Sequence, residues 1–309
     1  MNTTRRTATD WMLLAALVAL WSPSFLLIKI GLDNGIPPVT LVVIRLGLAA
    51  LVLLGAMLIA GQALPRDRGT WGALAMVGLC GSSLPFVLIA VGEQTASSAL
   101  ASICNGAVPI ATALLAHSFL PEERLPASAW FGVAVAFSGI ILIAFPAFGE
   151  EGGEALGLLL FLAAAFFYGL TFIIARRWLT GLPPLVAPTF QLLIGTGALL
   201  PWALIAEVPT MGMPDAGTMV AMLALSLLGT ALAYVVNYRL IATTDATFAS
   251  TVTYFLPPGG VLLSVLILHE EVAPTALAGS ALVLTGVIVL NLARRRQAQK
   301  EQAAPPLEK

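Results

Sequence analysis

The sequence predicts an all-α integral membrane protein of ten transmembrane helices, built as two five-helix repeats of opposite orientation. Three observations predict it: the composition, ten apolar stretches of membrane-crossing length, and an internal repeat. Of 309 residues, 59% are hydrophobic and only 10% charged, whereas a soluble domain carries about a quarter charged residues. No soluble fold of this length covers so much apolar surface, so the bilayer is the expected solvent.

A membrane span needs roughly 20 mainly apolar residues. Spans are expected at about Trp11–Gly31, Pro38–Ala60, Thr70–Val91, Ser97–Leu120 and Ala127–Phe145, numbered 1 to 5. Spans 6 to 10 are expected at about Ala155–Ala175, Pro184–Ala206, Ala216–Val236, Ala246–Leu268 and Pro274–Ala293. Arg5 and Arg6 precede span 1 in the manner of a signal peptide. The apolar stretch after them is too long for a signal sequence and lacks a small-residue cleavage site, so it reads as a span.

Lys and Arg set the orientation of such a chain. With the N-terminus inside, the inner segments hold all of the 15 basic residues except Lys29 and Arg45. Both termini are therefore expected in the cytoplasm, in a cell inner membrane. The acidic residues, among them Asp33, Glu93, Glu154, Glu207 and Asp215, fall in tails, links or span margins.

The repeat is visible in short matches that keep their order. Leu120 to Pro126 (LPEERLP) matches Leu268 to Pro274 (LHEEVAP), and at that same offset Gly81, Ser102 and Pro109 match Gly229, Ser250 and Pro257. Gly35 to Pro38 (GIPP) matches Gly181 to Pro184 (GLPP) near the start of each half. Each half holds five spans, an odd number, so the second half crosses in the opposite sense. Inverted repeats with a midplane site at their interface are a recurrent transporter design.

Several stretches carry a family resemblance. They are Trp21 to Lys29 (WSPSFLLIK), Arg45 within VVIRLGLAAL, and the run from Val108 and Pro109 to Glu122 and Glu123. Trp130 to Gly132, Ser138 and Gly139, and the second copy from Leu256 and Pro257 to Gly286 also belong to it. Over about residues 10–292 the chain resembles the drug/metabolite transporter superfamily, in particular its ten-span EamA-type members, which include bacterial amino-acid and metabolite exporters. It departs from the family pattern at Ser22 and Pro23, where Gly commonly follows the Trp, and at Gln191, which stands where the first half has Arg45. The resemblance implies repeats at 10–146 and 154–293, followed by a cytoplasmic tail at 294–309. It implies a secondary transporter exporting amino acids or similar small metabolites by alternating access.

Pro109 and Pro257 interrupt apolar helices at matching places, and such interruptions point to a binding site. Polar and aromatic side chains gather in the same region: Trp21, Ser82, Phe86, Ser102, Asn105, Tyr168, Thr171, Thr230, Tyr234, Ser250 and Tyr254. Uncharged hydrogen-bonding groups suit a zwitterion, and aromatic faces suit a side chain or a cation. The alternative role for each hydroxyl is a bond between neighbouring helices. Lys29 and Arg45 are the basic residues inside spans; Arg45 is expected either to orient an anion or to snorkel to the headgroups, and Lys29 to snorkel.

Gly132 and Gly139, and likewise Gly279 and Gly286, are spaced at two helical turns, which suits close helix approach in spans 5 and 10. Those spans are expected to be support or a dimer contact; monomer and homodimer are both left open. Cys80 and Cys104 lie in apolar runs and read as inert thiols, and His117 and His269 as satisfied interfacial groups. No cofactor and no metal are expected. A net charge of −1 argues against nucleic acid as a partner; the partners are the lipid bilayer and a small-molecule substrate.

Enzymatic chemistry lacks its groups: no HExxH, no GxSxG and no paired acids occur within spans. A multidrug cation:proton antiporter is an alternative, weakened because span 1 carries no acid of the kind the superfamily's small multidrug members use. A membrane receptor or scaffold is a more distant one. With no carboxylate deep in any expected span, transport without obligatory proton exchange is expected.

Overall fold

A computed structural model describes residues 7–119, 125–145, 153–179, 181–243 and 252–303. Among these residues nine helices are long and apolar enough to cross a membrane. They are Ala8–Asp33, Pro38–Ile59, Arg68–Gly92, Ser98–Phe119, Ala127–Ala144, Glu154–Ala175, Val186–Thr210, Ala216–Leu240 and Pro274–Arg294. The shorter apolar helix Val252–Leu268 supplies the ninth span of ten. Large apolar side chains point outwards, among them Phe131 at 68%, Ile141 at 64% and Ile205 at 78% exposure. Such exposure fits a lipid solvent and not water.

Local chemistry sets the helix ends. Thr7 caps span 1 in a reciprocal box: its Oγ1 accepts from Asp10 N at 3.2 Å, and Asp10 Oδ2 accepts from Thr7 N at 2.9 Å. Pro38 opens span 2, where its missing N–H costs nothing. Asp67 and Asp215 cap spans 3 and 8 by accepting Thr70 N at 2.7 Å and Thr218 N at 2.6 Å. Those hydrogen bonds hold both carboxyls below the ordinary Asp range. The two caps are repeat equivalents, an additional match between the halves.

Among the described residues two spans are broken into two α-helices. Span 1 runs as Ala8–Trp21 and Ser24–Asp33, with the interruption at Ser22 and Pro23, where proline removes a donor. Span 4 runs as Ser98–Asn105 and Val108–Phe119, and the break at Gly106 and Ala107 falls just before Pro109. The matching Pro257 lies inside the continuous helix Val252–Leu268. The interruption expected in both halves is thus a break in span 4, while the described part of span 9 continues as helix through Pro257 and Pro258.

Packing between the halves follows the repeat. Span 2 lies on span 7, span 4 on span 9 and span 5 on span 10, while span 1 packs on span 8 as span 6 packs on span 3. Gly132 abuts Gly286, and Gly139 abuts Gly279, so spans 5 and 10 run antiparallel in glycine-to-glycine contact. The glycines expected to support close approach therefore do so within the chain.

Candidate functional site

Spans 3 and 8 each carry a π-helical turn, Leu79–Ser83 and Leu227–Leu232, starting at equivalent positions of the two repeats. A π turn holds one residue too many for the α ladder and redirects the side chains on it; such turns are frequent at functional sites. Ser82 and Thr230, both with no exposure, sit on these turns. Each is met by a polar side chain from the other half. Arg45 Nε donates to Thr230 Oγ1 at 2.9 Å, and Gln191 Nε2 donates to Ser82 Oγ at 3.0 Å. Arg45 and Gln191 are repeat equivalents in spans 2 and 7, so the two bonds form a pseudo-symmetric pair across the interface.

The chemistry of the pair is unequal. Gln191 also accepts the Tyr238 hydroxyl through Oε1 at 3.2 Å, leaving a neutral, satisfied amide. Arg45 is 5% exposed, and its Cζ stands 4.0 Å over the Phe86 ring. Phe86 in turn meets Tyr168 edge-on with centroids 6.2 Å apart. Tyr168 and Tyr234 are further neighbours of Arg45. The Thr230 hydroxyl donates its own hydrogen bond to the Leu225 carbonyl at 2.9 Å, which leaves a lone pair free to accept from Arg45.

Of the expected site residues, Ser82, Phe86, Tyr168, Thr230, Tyr234 and Arg45 therefore converge. Arg45 does not snorkel. Thr171 lies beside them, its hydroxyl donated to the Phe167 carbonyl of its own helix at 2.9 Å and its methyl close to Gly81. Ser102 donates to the Leu256 carbonyl at 3.0 Å and joins span 4 to span 9 as interhelical glue. Pro257 packs at the span 4 break, 3.3 Å from the position of a Cβ on Gly106. Asn105 and Pro109 flank that break and are half-buried. Tyr254 accepts from the Asn291 amide of span 10. Trp21, half-buried, packs against the apolar cluster of Leu14, Leu17, Leu240, Val252 and Leu256. Ser250 lies outside the described residues.

One end of the bundle is closed by bonds between elements. Lys29 Nζ donates to the Glu93 carbonyl at the end of span 3, 3.1 Å away, and pairs with Asp33 at 3.0 Å. Glu270, which follows span 9, accepts Ser98 N and Ala99 N at 3.0 Å each and so caps span 4. Glu207 at the end of span 7 accepts Val39 N at 3.3 Å and Thr40 N at 2.6 Å, capping span 2. At the opposite end Gln62 accepts Leu185 N at 3.0 Å, the equivalent contact with an amide in place of the acid. His117 accepts Leu125 N at 2.9 Å and meets Trp130 edge-on, a satisfied interfacial histidine as expected.

Sequence reasoning missed four features here: the π turns, Gln191 as a partner of Ser82, Tyr238, and the burial of Glu93. Glu93 sits at a span margin as expected, yet it is fully buried, with Ser98 Oγ 3.4 Å from its Oε2. The match of Gly81 and Ser82 with Gly229 and Thr230 was the available signal for the turns. An amide within an apolar span was the signal for Gln191. No group of three or more metal-ligating side chains occurs among the described residues.

Comparison with known proteins agrees with this architecture. The profile of the EamA-like transporter family matches residues 9–145 and 155–292. A protein of Streptantibioticus cattleyicolor described as a probable terminal-alkyne amino-acid exporter is 30% identical over 295 residues, which cover 93% of this chain and 96% of that protein. An uncharacterized transporter of Archaeoglobus fulgidus is 27% identical over 91% of this chain and 98% of its own length. The Escherichia coli protein YedA, described as an uncharacterized inner membrane transporter, is 24% identical over 96% and 94% of the two chains. A crystal structure at 20% identity superposes with a TM-score of 0.67 over 94% of this chain and all of that one, which is a likeness of fold. The chain belongs to the EamA-like transporter family, a multi-pass membrane transporter with the ten-helix fold of the drug/metabolite transporter superfamily.

Proposed function

We propose that this transporter exports amino acids or similar small metabolites across the cell's inner membrane by alternating access. In this reading both termini are cytoplasmic, and repeats at 10–146 and 154–293 exchange shapes. The carrying observation is the relative described as an amino-acid exporter, 30% identical over nearly the full length of both chains. The interface supports it: hydroxyls, phenols and one guanidinium meet between two similar halves, which is the chemistry a zwitterion requires. The same guanidinium repels a cationic substrate, which argues against the multidrug alternative.

Transport runs down the substrate gradient. Glu93, a fully buried carboxylate beside Ser98 and Lys29 at the end of span 3, is a neighbour of Arg45 and forms no ion pair with it. The test is flux of labelled leucine, phenylalanine and choline into proteoliposomes holding the purified protein, with and without an imposed pH gradient. Amino-acid flux that only equilibrates is expected. Uphill accumulation driven by the pH gradient and abolished by an uncoupler would overturn the facilitator reading, and choline as the sole permeant would overturn the substrate reading.

A further inference from the structure

The central cluster holds one fixed charge, and the protein itself leaves that charge without a carboxylate. Arg45 is 95% withdrawn from the surface, being 5% exposed. Lys29 pairs with Asp33, whereas among the described residues no ion pair joins Arg45 to a carboxylate. Its neighbours are the phenols of Tyr168 and Tyr234 and the carboxylate of Glu93, which is next to Ser98. A guanidinium does not shed its proton in a protein. A buried cation without its counter-ion is costly, and intramembrane charge is functional by default.

The repeat supplies an internal control. At the equivalent position the second half has Gln191, which makes the equivalent bond to Ser82 and is otherwise satisfied by Tyr238. The scaffold therefore accepts a neutral amide at this place. The interhelical bond explains a hydrogen-bonding side chain at position 45; it does not explain a charge. The charge is also held in a set orientation. Thr230 takes Nε, and the Phe86 ring supports the guanidinium plane at 4.0 Å. The two terminal nitrogens remain, and their parallel N–H bonds match the two oxygens of a carboxylate.

We propose that Arg45 is the anchor for the carboxylate of the transported molecule, with its two Nη groups taking the two carboxylate oxygens and Phe86 holding the fork in plane. The inference rests on the transporter reading above and narrows its substrates to small carboxylic acids. Tyr168 and Tyr234, neighbours of Arg45, offer oxygen lone pairs and ring faces to an α-ammonium. Because Gln191 is neutral, the two halves grip the substrate unequally, and the carboxylate stays with span 2 while the halves exchange shapes.

The experiment compares the full-length wild type with Arg45→Gln and Arg45→Lys in proteoliposomes. The labelled probes are leucine, leucinamide and isovalerate, which keep one side chain and vary the charged ends. The wild type is expected to carry leucine in preference to leucinamide. Arg45→Gln, the side chain that the second repeat already uses, should lose leucine flux by about 10- to 100-fold, the scale of a lost charge-assisted pair. Its leucinamide flux should be retained, so that the preference inverts. Arg45→Lys should raise the leucine KM with partial retention of flux, because charge survives without the fork. Leucine transport by Arg45→Gln at the wild-type KM would overturn the proposal, as would equal losses for leucine and leucinamide. If Arg45→Gln yields no folded protein, an unchanged leucine KM in Arg45→Lys overturns it instead. Arg45-dependent carriage of isovalerate in place of leucine would support the anchor while removing the amino-acid reading. Carriage of leucine that is as independent of Arg45 as carriage of leucinamide would remove the anchor while leaving a transporter.

Discussion

Replacing Gly286 with alanine tests whether the contact between spans 5 and 10 is as close as the structure has it. A Cβ there would stand 2.5 Å from the Gly132 carbonyl oxygen and 2.5 Å from Ala136 N, where ordinary contact begins at 3.4 Å. The shortfall is 3.4 − 2.5 = 0.9 Å. Both obstacles are backbone, so no rotamer change relieves them and the helices must part. A gap of about 0.5–1 Å forfeits roughly a quarter to a half of each dispersion contact along the seam, and overpacking of this kind costs about 1–3 kcal/mol. Alanine also favours the helix over glycine by about 1 kcal/mol, so the sign of the net effect carries the information.

Gly55 and Gly197 provide the reference, because both lie in spans and a Cβ on either meets nothing within 4 Å. Gly55→Ala and Gly197→Ala should be neutral or stabilising. Gly286→Ala should be less stable than either by about 1–3 kcal/mol, read as the midpoint of reversible unfolding in graded SDS with mild detergent. Gly132 faces the same contact, since a Cβ on it would stand 2.6 Å from the Gly286 carbonyl oxygen. Once one alanine has parted the helices the second finds room, so the double variant should cost less than the sum of the two singles. A Gly286→Ala midpoint at or above that of Gly55→Ala would refute the reasoning.

Two further outcomes follow from the bundle ends. Removing the Glu270 cap from span 4 by Glu270→Ala costs about 0.5–2 kcal/mol, which shifts the balance toward opening at that end by roughly 2- to 30-fold. Cys104, 3% exposed, should then react faster with a thiol reagent in a Cys80→Ser background, and an unchanged rate would count against a gate there. In intact cells, a cysteine introduced at Glu151 should react with an impermeant reagent and one at Asp67 should not; labelling at Asp67 would reverse the proposed orientation.

Membrane residence, the positions of the spans, the repeat and the glycine spacing are properties of chain segments about one helix long. Each span is apolar along its own length, so the expected limits fall within a few residues of the observed ones for nine of the ten spans; for span 9 the described helix starts at Val252. The glycines of spans 5 and 10 were legible because a two-turn spacing puts them on one face, and the structure turns those two faces together. The positions of Arg45, Ser82, Phe86 and Thr230 were legible as polar or aromatic residues in apolar helices, but their roles were not. Arg45 meets its hydroxyl partner 185 residues further along the chain, and Gln191 meets Ser82 across 109. No local pattern encodes such pairings. Ser102 and Thr230 look alike in sequence, yet one hydroxyl is donated to a facing carbonyl and the other accepts a guanidinium. Only tertiary packing decides that difference, because it fixes which lone pairs and N–H groups come within 3 Å of one another once water is gone. The same packing decides that Glu93, at a span margin, ends fully buried. It also decides that the charge on Arg45 turns inwards to the interface and not outwards to the headgroups.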